Sequence, residues 1–391
     1  MGNAATSSAR FWSRLVLGAA AAAIFHASPA WARKTNQPVY EDPYDIAAGG
    51  ASLTKASKEG MLFANPALLP QGGKFHRWAG ATFTLLTNKE SVDTARTILN
   101  NARSGKKSSS GQTDEEKKAA EQKQSSEFVD KVFKDPVRLG WGVAISWLTN
   151  NFGLGIISRF EPDIRAKKFG ASGLPEVQFR AESYHGAALG TGIKTPFRWL
   201  LLGVTAKYLY VAEPDVSVEV TDSTAIAQFQ NPNFVQNLTS HNKGVGFDAG
   251  SLLFFQGSWV DFSLAGKVDD VGNTKLSGPS DTPKELKQVS SVGAGLTLHT
   301  GADALHFSAD YRDLGNAYGD PMFKRVYAGT KLMLRTYLGL ATGYYNGSPS
   351  YGAEIDLLLL RLAATTYTRE LGDHPGVDPR HIYMVSLSTG F

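Results

Sequence analysis

The amino-acid sequence predicts an all-β fold, a transmembrane antiparallel β-barrel of about 14 strands with an N-terminal plug segment. Three observations favour this fold: an export signal, a series of long alternating segments, and connections of alternating length. A transmembrane barrel needs all three. Its strands must be exported, must be long enough to cross the bilayer, and must be joined by short turns on one side.

Residues 1–32 have the features of a bacterial signal peptide. Arg10 and Arg14 form a basic region, the apolar run 15–25 follows, and Ala30-Trp31-Ala32 supplies a small-x-small cleavage site. A membrane anchor is the competing interpretation, but the run is shorter than the roughly 20 apolar residues that a spanning helix needs. We expect cleavage after Ala32, which leaves the mature chain outside the cytoplasm.

The composition restricts the class of protein. The formal net charge of the full chain is only +4, and the signal removes two arginines and no acid. Nucleic acid is therefore not an expected partner, because proteins that bind nucleic acid carry a concentrated basic face. The chain has no cysteine and no second long apolar segment. Two classes of protein remain, a soluble periplasmic β-protein and an outer-membrane barrel. A closed barrel can be stable without disulfides because every strand is paired on both sides.

Alternation of apolar and polar residues between turn-forming residues predicts the strands. Most segments reach the roughly 9–11 residues needed to cross a membrane, which is longer than an ordinary globular strand. The predicted strands are 77–88, 137–149, 154–168, 177–194, 200–212, 244–257, 258–276, 287–300, 305–316, 323–334, 335–347, 350–360, 361–371 and 381–391.

The predicted connections differ in length on the two sides of the barrel. Outer-membrane barrels have short periplasmic turns and long external loops, whereas a soluble sandwich has no reason to sort its loops in this way. The insert 89–136 is rich in Lys, Glu, Ser and Gln and predicts either a solvated, partly helical or flexible loop or a short helical cap over the barrel mouth. The short turns are 150–153, 301–303 and those around Gly257, Arg335 and Arg361; the long connections are 89–136, 213–243, 277–286, 317–322 and 372–380.

The two faces of the strands differ in polarity. In the fifth strand Leu202, Val204 and Tyr208 share one face and Thr205 and Lys207 the other. We expect the apolar face to contact lipid, with aromatic ends such as Tyr208, Tyr210, Tyr311 and Tyr344 in an interfacial girdle, and the polar face to line the lumen. By the same parity, the charged or titratable lumen residues are Lys207, Asp248, Asp261, Lys267, His306, Asp310, Arg312, Arg325, Lys331, Glu354 and Asp356.

Two interpretations of these lumen charges remain open. They form a structural network of ion pairs, or the cations among them bind a ligand carboxylate. The roughly balanced signs favour the network, since an anion site would carry net positive charge.

The C-terminal strand ends in an aromatic residue. Tyr383, Val385, Leu387 and Phe391 lie on one face of this strand. A terminal aromatic after such alternation resembles the signal read by the barrel-assembly machinery; the alternative is an edge strand that ends in Phe by chance. We expect the assembly machinery and outer-membrane lipid as partners, and the bacterial outer membrane as the location.

Residues 42–69 resemble a known family. A Gly49-Gly50 pair is followed by Asn65-Pro66-Ala67-Leu68-Leu69 just before the first strand. This arrangement resembles the N-terminal plug of FadL-like outer-membrane barrels. That superfamily includes long-chain fatty-acid and hydrocarbon channels and the PorV-like and TraF-like branch, to which stretches 308–312 and 370–372 are similar. The resemblance implies a plug over 33–76 and a barrel over 77–391, with Glu59 as the acid that usually precedes Asn-Pro-Ala.

The plug residues suggest their own roles. Gly49 and Gly50 allow backbone geometry and close packing that other residues do not, and Pro66 fixes a corner after Asn65. The apolar residues either contact a hydrophobic ligand or pack the plug in place. They are Met61, Leu62, Phe63, Leu68 and Leu69.

Motifs for catalysis or cofactor binding are not found in the sequence. His306, Ser308 and Asp310 are spaced two apart on one strand, so neighbouring Cβ atoms lie roughly 7 Å apart, too far for a catalytic triad. We therefore expect no enzyme activity, no metal and no cofactor. The resemblance implies a passive channel for hydrophobic small molecules such as long-chain fatty acids. The alternative is a PorV-like barrel that anchors or hands over an exported protein.

Overall fold

The computed structural model describes most of the chain after residue 38. The described residues are 39–74, 79–89, 91–92, 137–167, 176–219, 241–279, 285–335, 337–357, 359–370, 374, 376–377 and 379–390. The predicted signal peptide, most of the insert 89–136 and Phe391 lie outside them.

Fourteen long strands form a closed antiparallel barrel, as the alternation predicts. Strands pair with their neighbours in the chain, β3 pairs with β4, and the last strand pairs with the first, which closes the ring. Three short strands (β6, β9 and β10) extend or cover one end. The strands are β1 Ala79–Thr87, β2 Val137–Leu148, β3 Phe152–Lys167, β4 Glu176–Lys194, β5 Leu200–Ala212, β6 Asp215–Glu219, β7 Asn242–Gln256, β8 Val260–Asp269, β9 Thr274–Lys275, β10 Glu285–Leu286, β11 Val289–Thr300, β12 Asp303–Tyr311, β13 Val326–Leu334, β14 Leu338–Tyr345, β15 Ser348–Asp356, β16 Leu360–Glu370 and β17 Pro379–Gly390.

Helices are few and short. They are α1 Pro43–Ala47, α2 Met61–Ala64, a 3₁₀ helix Pro66–Lys74, and α3 Met322–Arg325. In the part of the chain that the structure describes, no helix has the length and apolar character to cross a membrane.

The apolar face of the strands lies outside and the polar face inside. In β17, Val385 and Leu387 are 48% and 46% exposed, whereas Ser386 and Ser388 are buried. Tyr383 shares the outer face with them. The structure thus gives the barrel an apolar outer surface, as the parity of the strands predicts.

Exposed aromatic side chains gather at both ends of this surface. Along β5, Trp199 and Tyr208 mark the two edges of the apolar band. At ~3.3 Å per residue, and with the strand tilt usual in a barrel, they are separated by about 25 Å along the membrane normal, which is the height of the apolar band in a transmembrane barrel. The rings of Trp199 and Phe255 stack at 6.2 Å. The aromatics are Trp147, Phe152, Trp199, Phe255 and Trp259 at one end, and Tyr208, Tyr210, Tyr344, Tyr351 and Tyr383 toward the other.

One end of the barrel carries only short turns among the described connections, and we call it the short-turn end. Its turns are 149–151, 195–199, 257–259, 301–302, 335–337 and 357–359. The opposite, long-loop end carries the longer connections. One connection there is short as well: Asn346 and Gly347 form a two-residue hairpin turn, both with positive φ.

Several predicted boundaries are wrong. The predicted turn at Arg361 lies at 357–359, and Arg361 belongs to β16. The seventh strand was expected to reach residue 276, but positive φ at Asp270 and Asn273 ends it at Asp269. β9 lies within the range predicted as the seventh strand, and it pairs with β10, which lies in the connection predicted as a loop at 277–286.

Two other strands are shorter than the alternation suggests. The ninth was expected to reach 316 and ends at Tyr311, because Asp313 and Asn316 take positive φ. The tenth was expected from 323 and begins at Val326, because Pro321 starts the helical turn α3.

Residues 39–74, here named the inner segment, lie against the inner face of the barrel wall. Helix α1 contacts β14 to β17, and the 3₁₀ helix contacts β3, β4, β5 and β7. Glycines in the wall make room for it. A Cβ atom at Gly203 would overlap the backbone of Pro66, and one at Gly343 would overlap the backbone of Gly49.

Deletion of residues 379–391 should abolish the barrel. β17 is hydrogen-bonded to both β16 and β1, so its loss opens the ring and leaves two strand edges unpaired in the membrane. Heat-modifiable migration in gel electrophoresis measures the folded barrel. A deletion of equal length within the connection 93–136 is the control, and a normally migrating 379–391 deletion would contradict the closure described here.

Candidate functional site

The lumen has two unlike halves. On β2, β3, β5 and β7 the inward side chains include a series of aliphatic residues beside charges that pair among themselves, such as Lys207 with Asp248. On β12 to β16 the inward charges of both signs bind the inner segment. The inner segment lies between the two halves. The aliphatic wall residues are Leu148, Ile157, Leu201, Leu209, Val211 and Leu252, and the charged ones include Asp310, Lys331, Glu354 and Arg361.

The apolar residues of the inner segment face the aliphatic half. Leu62, Phe63 and Leu69 belong to one buried cluster with wall residues such as Leu209 and Ile157. Met61 and Leu68 belong to a second cluster with Leu201 and Leu252. All five are buried, so in this conformation they pack the segment against the wall instead of facing an open channel.

Arg361 is the centre of the charged half. Its guanidinium donates to both carboxylate oxygens of Asp42, at 2.9 and 3.0 Å, and to Glu59 at 3.2 Å. Its Nε donates to Glu354 at 2.6 Å. Burial acts against the charged form of Asp42, but the pKa of this carboxyl is held below its ordinary value by Arg361. One arginine on the wall thus binds two acids of the inner segment.

Further polar contacts hold the segment to the same side. Lys331 pairs with Asp45, and Arg312 pairs with Glu41 at 2.9 Å and donates to the carbonyl of Gly50. Asp310 accepts hydrogen bonds from the backbone amides of Ser52 and Leu53 at 2.8 and 3.1 Å. These residues of β12 and β13, and Arg312 beside them, therefore bind successive points of the segment.

The Asn65-Pro66-Ala67 motif forms a fully buried corner. The Asn65 amide donates to the carbonyls of Leu53 at 2.9 Å and of Ser251 at 3.3 Å, and its oxygen accepts from the amide of Ala67 at 3.1 Å. Asn65 thereby ties the corner both to the segment and to β7.

Gly49 and Gly50 form a second close approach. Both have positive φ, 72° and 71°, which side-chain-bearing residues rarely adopt. The amide of Gly49 donates to the hydroxyl of Ser350 at 3.2 Å.

The other predicted lumen residues fall into three situations. Lys207 pairs with Asp248 at 2.7 Å and Asp270 at 3.0 Å. Lys267 pairs with Asp269 at 2.6 Å and donates to the carbonyl of Phe63, so it also holds the segment. Asp261 contacts His299 at 2.8 Å.

Arg325 is not part of this lumen set. It precedes β13 in α3, donates to the backbone carbonyl of Asp313, and lies over the ring of Tyr311 at 5.3 Å. The alternation of strand faces predicted that Arg325 points inward, but it does not apply here because Arg325 is part of helix α3.

His306, Ser308 and Asp310 make separate contacts. His306 bonds to Thr297 at 2.8 Å, Ser308 donates to the carbonyl of Ala51 at 3.1 Å, and Asp310 accepts backbone amides. Within the described ranges, no group of three or more His, Cys, Asp or Glu side chains is arranged to hold a metal.

Sequence reasoning missed Arg361 and a second set of charges on β3, β4 and β16. The signal was present, since Arg361, Ala363, Thr365, Tyr367 and Arg369 share one parity in β16. Arg361 was missed because the sequence analysis predicts a turn at this position, and not an inward-facing strand residue.

The architecture defines the class of protein. A closed antiparallel barrel with an apolar outer surface between aromatic girdles satisfies every backbone group within lipid. The chain is a closed antiparallel β-barrel of the transmembrane class.

No protein-family model and no curated protein matches the sequence. Among solved structures, a ΔS2S3 mutant of the monoaromatic hydrocarbon channel TodX is 11% identical, with a TM-score of 0.49, over 91% of this chain and 100% of its own. The toluene transporter TbuX of Ralstonia pickettii is 10% identical, with a TM-score of 0.47, over 90% of this chain and 98% of its own.

The toluene transporter TodX of P. putida is 9% identical, with a TM-score of 0.43, over 90% of this chain and 98% of its own. All three are described as channels for monoaromatic hydrocarbons or as toluene transporters. The fold itself is established by the strand pairing, which closes the ring between β17 and β1 and between β3 and β4.

Replacing Arg361 by Gln should release the inner segment. The substitution leaves Asp42, Glu59 and Glu354 as buried carboxylates without their cation, a change that typically costs about 3–5 kcal/mol. Limited proteolysis should then cut within residues 39–74 while the barrel remains heat-modifiable. Arg335→Gln, in an exposed turn, is the matched control. Equal protection of the segment in both variants would contradict the role given to Arg361.

Proposed function

We propose that the chain is a passive outer-membrane channel for hydrophobic small molecules, such as long-chain fatty acids, in which the inner segment acts as a displaceable plug. The observation that carries the proposal is the aliphatic half of the inner wall. The interior of a water-filled barrel is polar. A series of inward leucines, with Ile157 and Val211, instead suits a ligand that is itself apolar.

The attachment of the inner segment indicates where such a ligand would pass. On β12 to β16 the segment is held by ion pairs and hydrogen bonds, whose separation would leave buried charges without partners. On the aliphatic half it is held by contacts of Leu62, Phe63 and Leu69 with the wall and by a few hydrogen bonds to backbone carbonyls, such as that of Asn65 to Ser251, but by no ion pair among the described residues. An apolar ligand that enters there takes the place of the apolar side chains of the segment against the wall. The apolar surface of the wall stays buried, so the exchange costs little free energy.

This difference suggests a hinged movement. The segment remains bound through Arg361 and Asp310 and moves away from Leu209 and Leu252, and the ligand follows the aliphatic wall toward the short-turn end. The movement needs no energy source beyond the concentration gradient of the ligand.

Replacing Leu209 by Asp should weaken ligand binding by at least about tenfold, because a carboxylate on the passage wall must be desolvated or protonated before an apolar ligand can contact it. Leu209→Met is the matched control and should bind as the native protein does, since the swap roughly conserves volume. The measurement is binding of a long-chain fatty acid by the purified barrel, with heat-modifiable migration as the check on folding.

Equal binding by a folded Leu209→Asp variant would contradict a route along this wall. Mass spectrometry of molecules that copurify in mild detergent tests the ligand class without a chosen probe. An exported protein in place of lipid-like molecules would favour the anchoring role instead.

A further inference from the structure

A second group of charges lies above the inner segment, toward the long-loop end. Arg369 on β16 donates to Glu182 on β4 at 2.6 Å and contacts Glu161 on β3 at 3.5 Å. Arg159 on β3 binds Glu161 at 2.6 Å and approaches Glu182 at 4.0 Å. These four residues, Arg159, Glu161, Glu182 and Arg369, are here named the mouth bridge.

The mouth bridge joins strands that are not neighbours in the ring. Between β16 and β4 the barrel passes through β17, β1, β2 and β3, which is over a third of its circumference. A direct ion pair between strands so far apart must cross the lumen, since neighbouring strands alone lie about 4.8 Å from each other.

The position of the bridge along the barrel follows from strand register. Arg369 is opposite Arg380 near the end of β16, and Tyr367 is opposite Ile382 one inward position below. The rings of Tyr367 and Tyr345 meet at 5.2 Å, and the Tyr345 hydroxyl donates to Glu41 of the inner segment at 2.6 Å. From the long-loop end inward, the order is therefore the bridge, a tyrosine layer and the inner segment.

Burial of the bridge is uneven in a way that fits a closed entrance. The side chains of Arg369 and Glu161 are 3% and 2% exposed, whereas that of Glu182 is 24% exposed. The bridge thus has one edge toward solvent. Neighbouring charges support it from the side, since Arg138 and Arg165 both approach Asp163 on β3.

We propose that the mouth bridge is the selectivity barrier of the barrel at its long-loop end. It closes the axial route, and a solute reaches the tyrosine layer and the inner segment from that side only when Arg369 separates from Glu161 and Glu182. An apolar molecule cannot replace these partners, so separation must precede its passage. The inference rests on the proposed channel function and identifies the residues that control its entrance.

The native chain contains no cysteine, which permits a direct test. Ile382 is fully buried directly below the bridge, and Val377 is 66% exposed at the long-loop end. Ile382→Cys reports access through the bridge, and Val377→Cys reports the intrinsic rate. Cells that display the protein are treated from outside with a membrane-impermeant thiol reagent, and the labelling rate of each cysteine is measured.

The barrier predicts slow labelling of Ile382→Cys in the native background. Adding Arg369→Gln or Glu182→Gln should increase that rate by an order of magnitude or more, as removal of one partner frees the other. The charge-conserving variant Arg369→Lys should keep labelling slow. Val377→Cys should label equally in all backgrounds, and Arg335→Gln at the short-turn end should change nothing.

Unchanged labelling of Ile382→Cys with Arg369→Gln and with Glu182→Gln would overturn the proposal. An increase that only parallels loss of the heat-modifiable barrel would also overturn it, because the bridge would then be a brace for the fold alone. The assay uses no hydrophobic ligand. If the labelling assay shows no barrier but ligand binding still depends on Leu209, only this inference fails. If the barrier is found but no hydrophobic ligand binds, only the proposed ligand fails.

Discussion

Closure of the strand ring is the constraint from which the other features follow. Because β3 pairs with β4 and β17 pairs with β1, every long strand has two hydrogen-bonded neighbours and its register is fixed. Register in turn decides which side chain faces lipid and which faces the lumen, since a slip of one residue exchanges the two faces. Phe307 is exposed outside while its neighbours His306 and Ser308 are buried inside.

The enclosed lumen brings charge and apolar surface into a small volume. Charges buried there must be paired, and the wall and the inner segment supply each other's partners. Arg361 with Asp42 and Lys331 with Asp45 join the segment to one half of the wall. The other half meets it through Leu201, Leu209 and Leu252. The segment is therefore held by ion pairs on one side and by apolar contacts with a few hydrogen bonds, such as that of Asn65 to Ser251, on the other. The proposed passage depends on this difference.

Much of the fold could be predicted from the sequence because a lipid-facing strand must alternate. The alternation located fourteen strands and their faces. It failed where local backbone conformation interrupts a strand, as at Asp270 and Asp313 with positive φ. The Asn65-Pro66-Ala67 corner could be recognised, but its contact with Ser251 could not. The ion pairs of the mouth bridge could not be predicted either, because they depend on which strands face each other across the closed ring.

A reversible tether between the inner segment and the wall tests the central claim most directly. Leu62 of the segment and Leu209 of the wall lie in one buried cluster on the aliphatic side, and the native chain has no cysteine. In Leu62→Cys/Leu209→Cys we expect a short thiol crosslinker with a cleavable linker to join the two residues and block ligand uptake, and cleavage of the linker to restore uptake to the level of the single-cysteine variants. Full uptake by the crosslinked barrel would contradict a segment that is displaced from this wall.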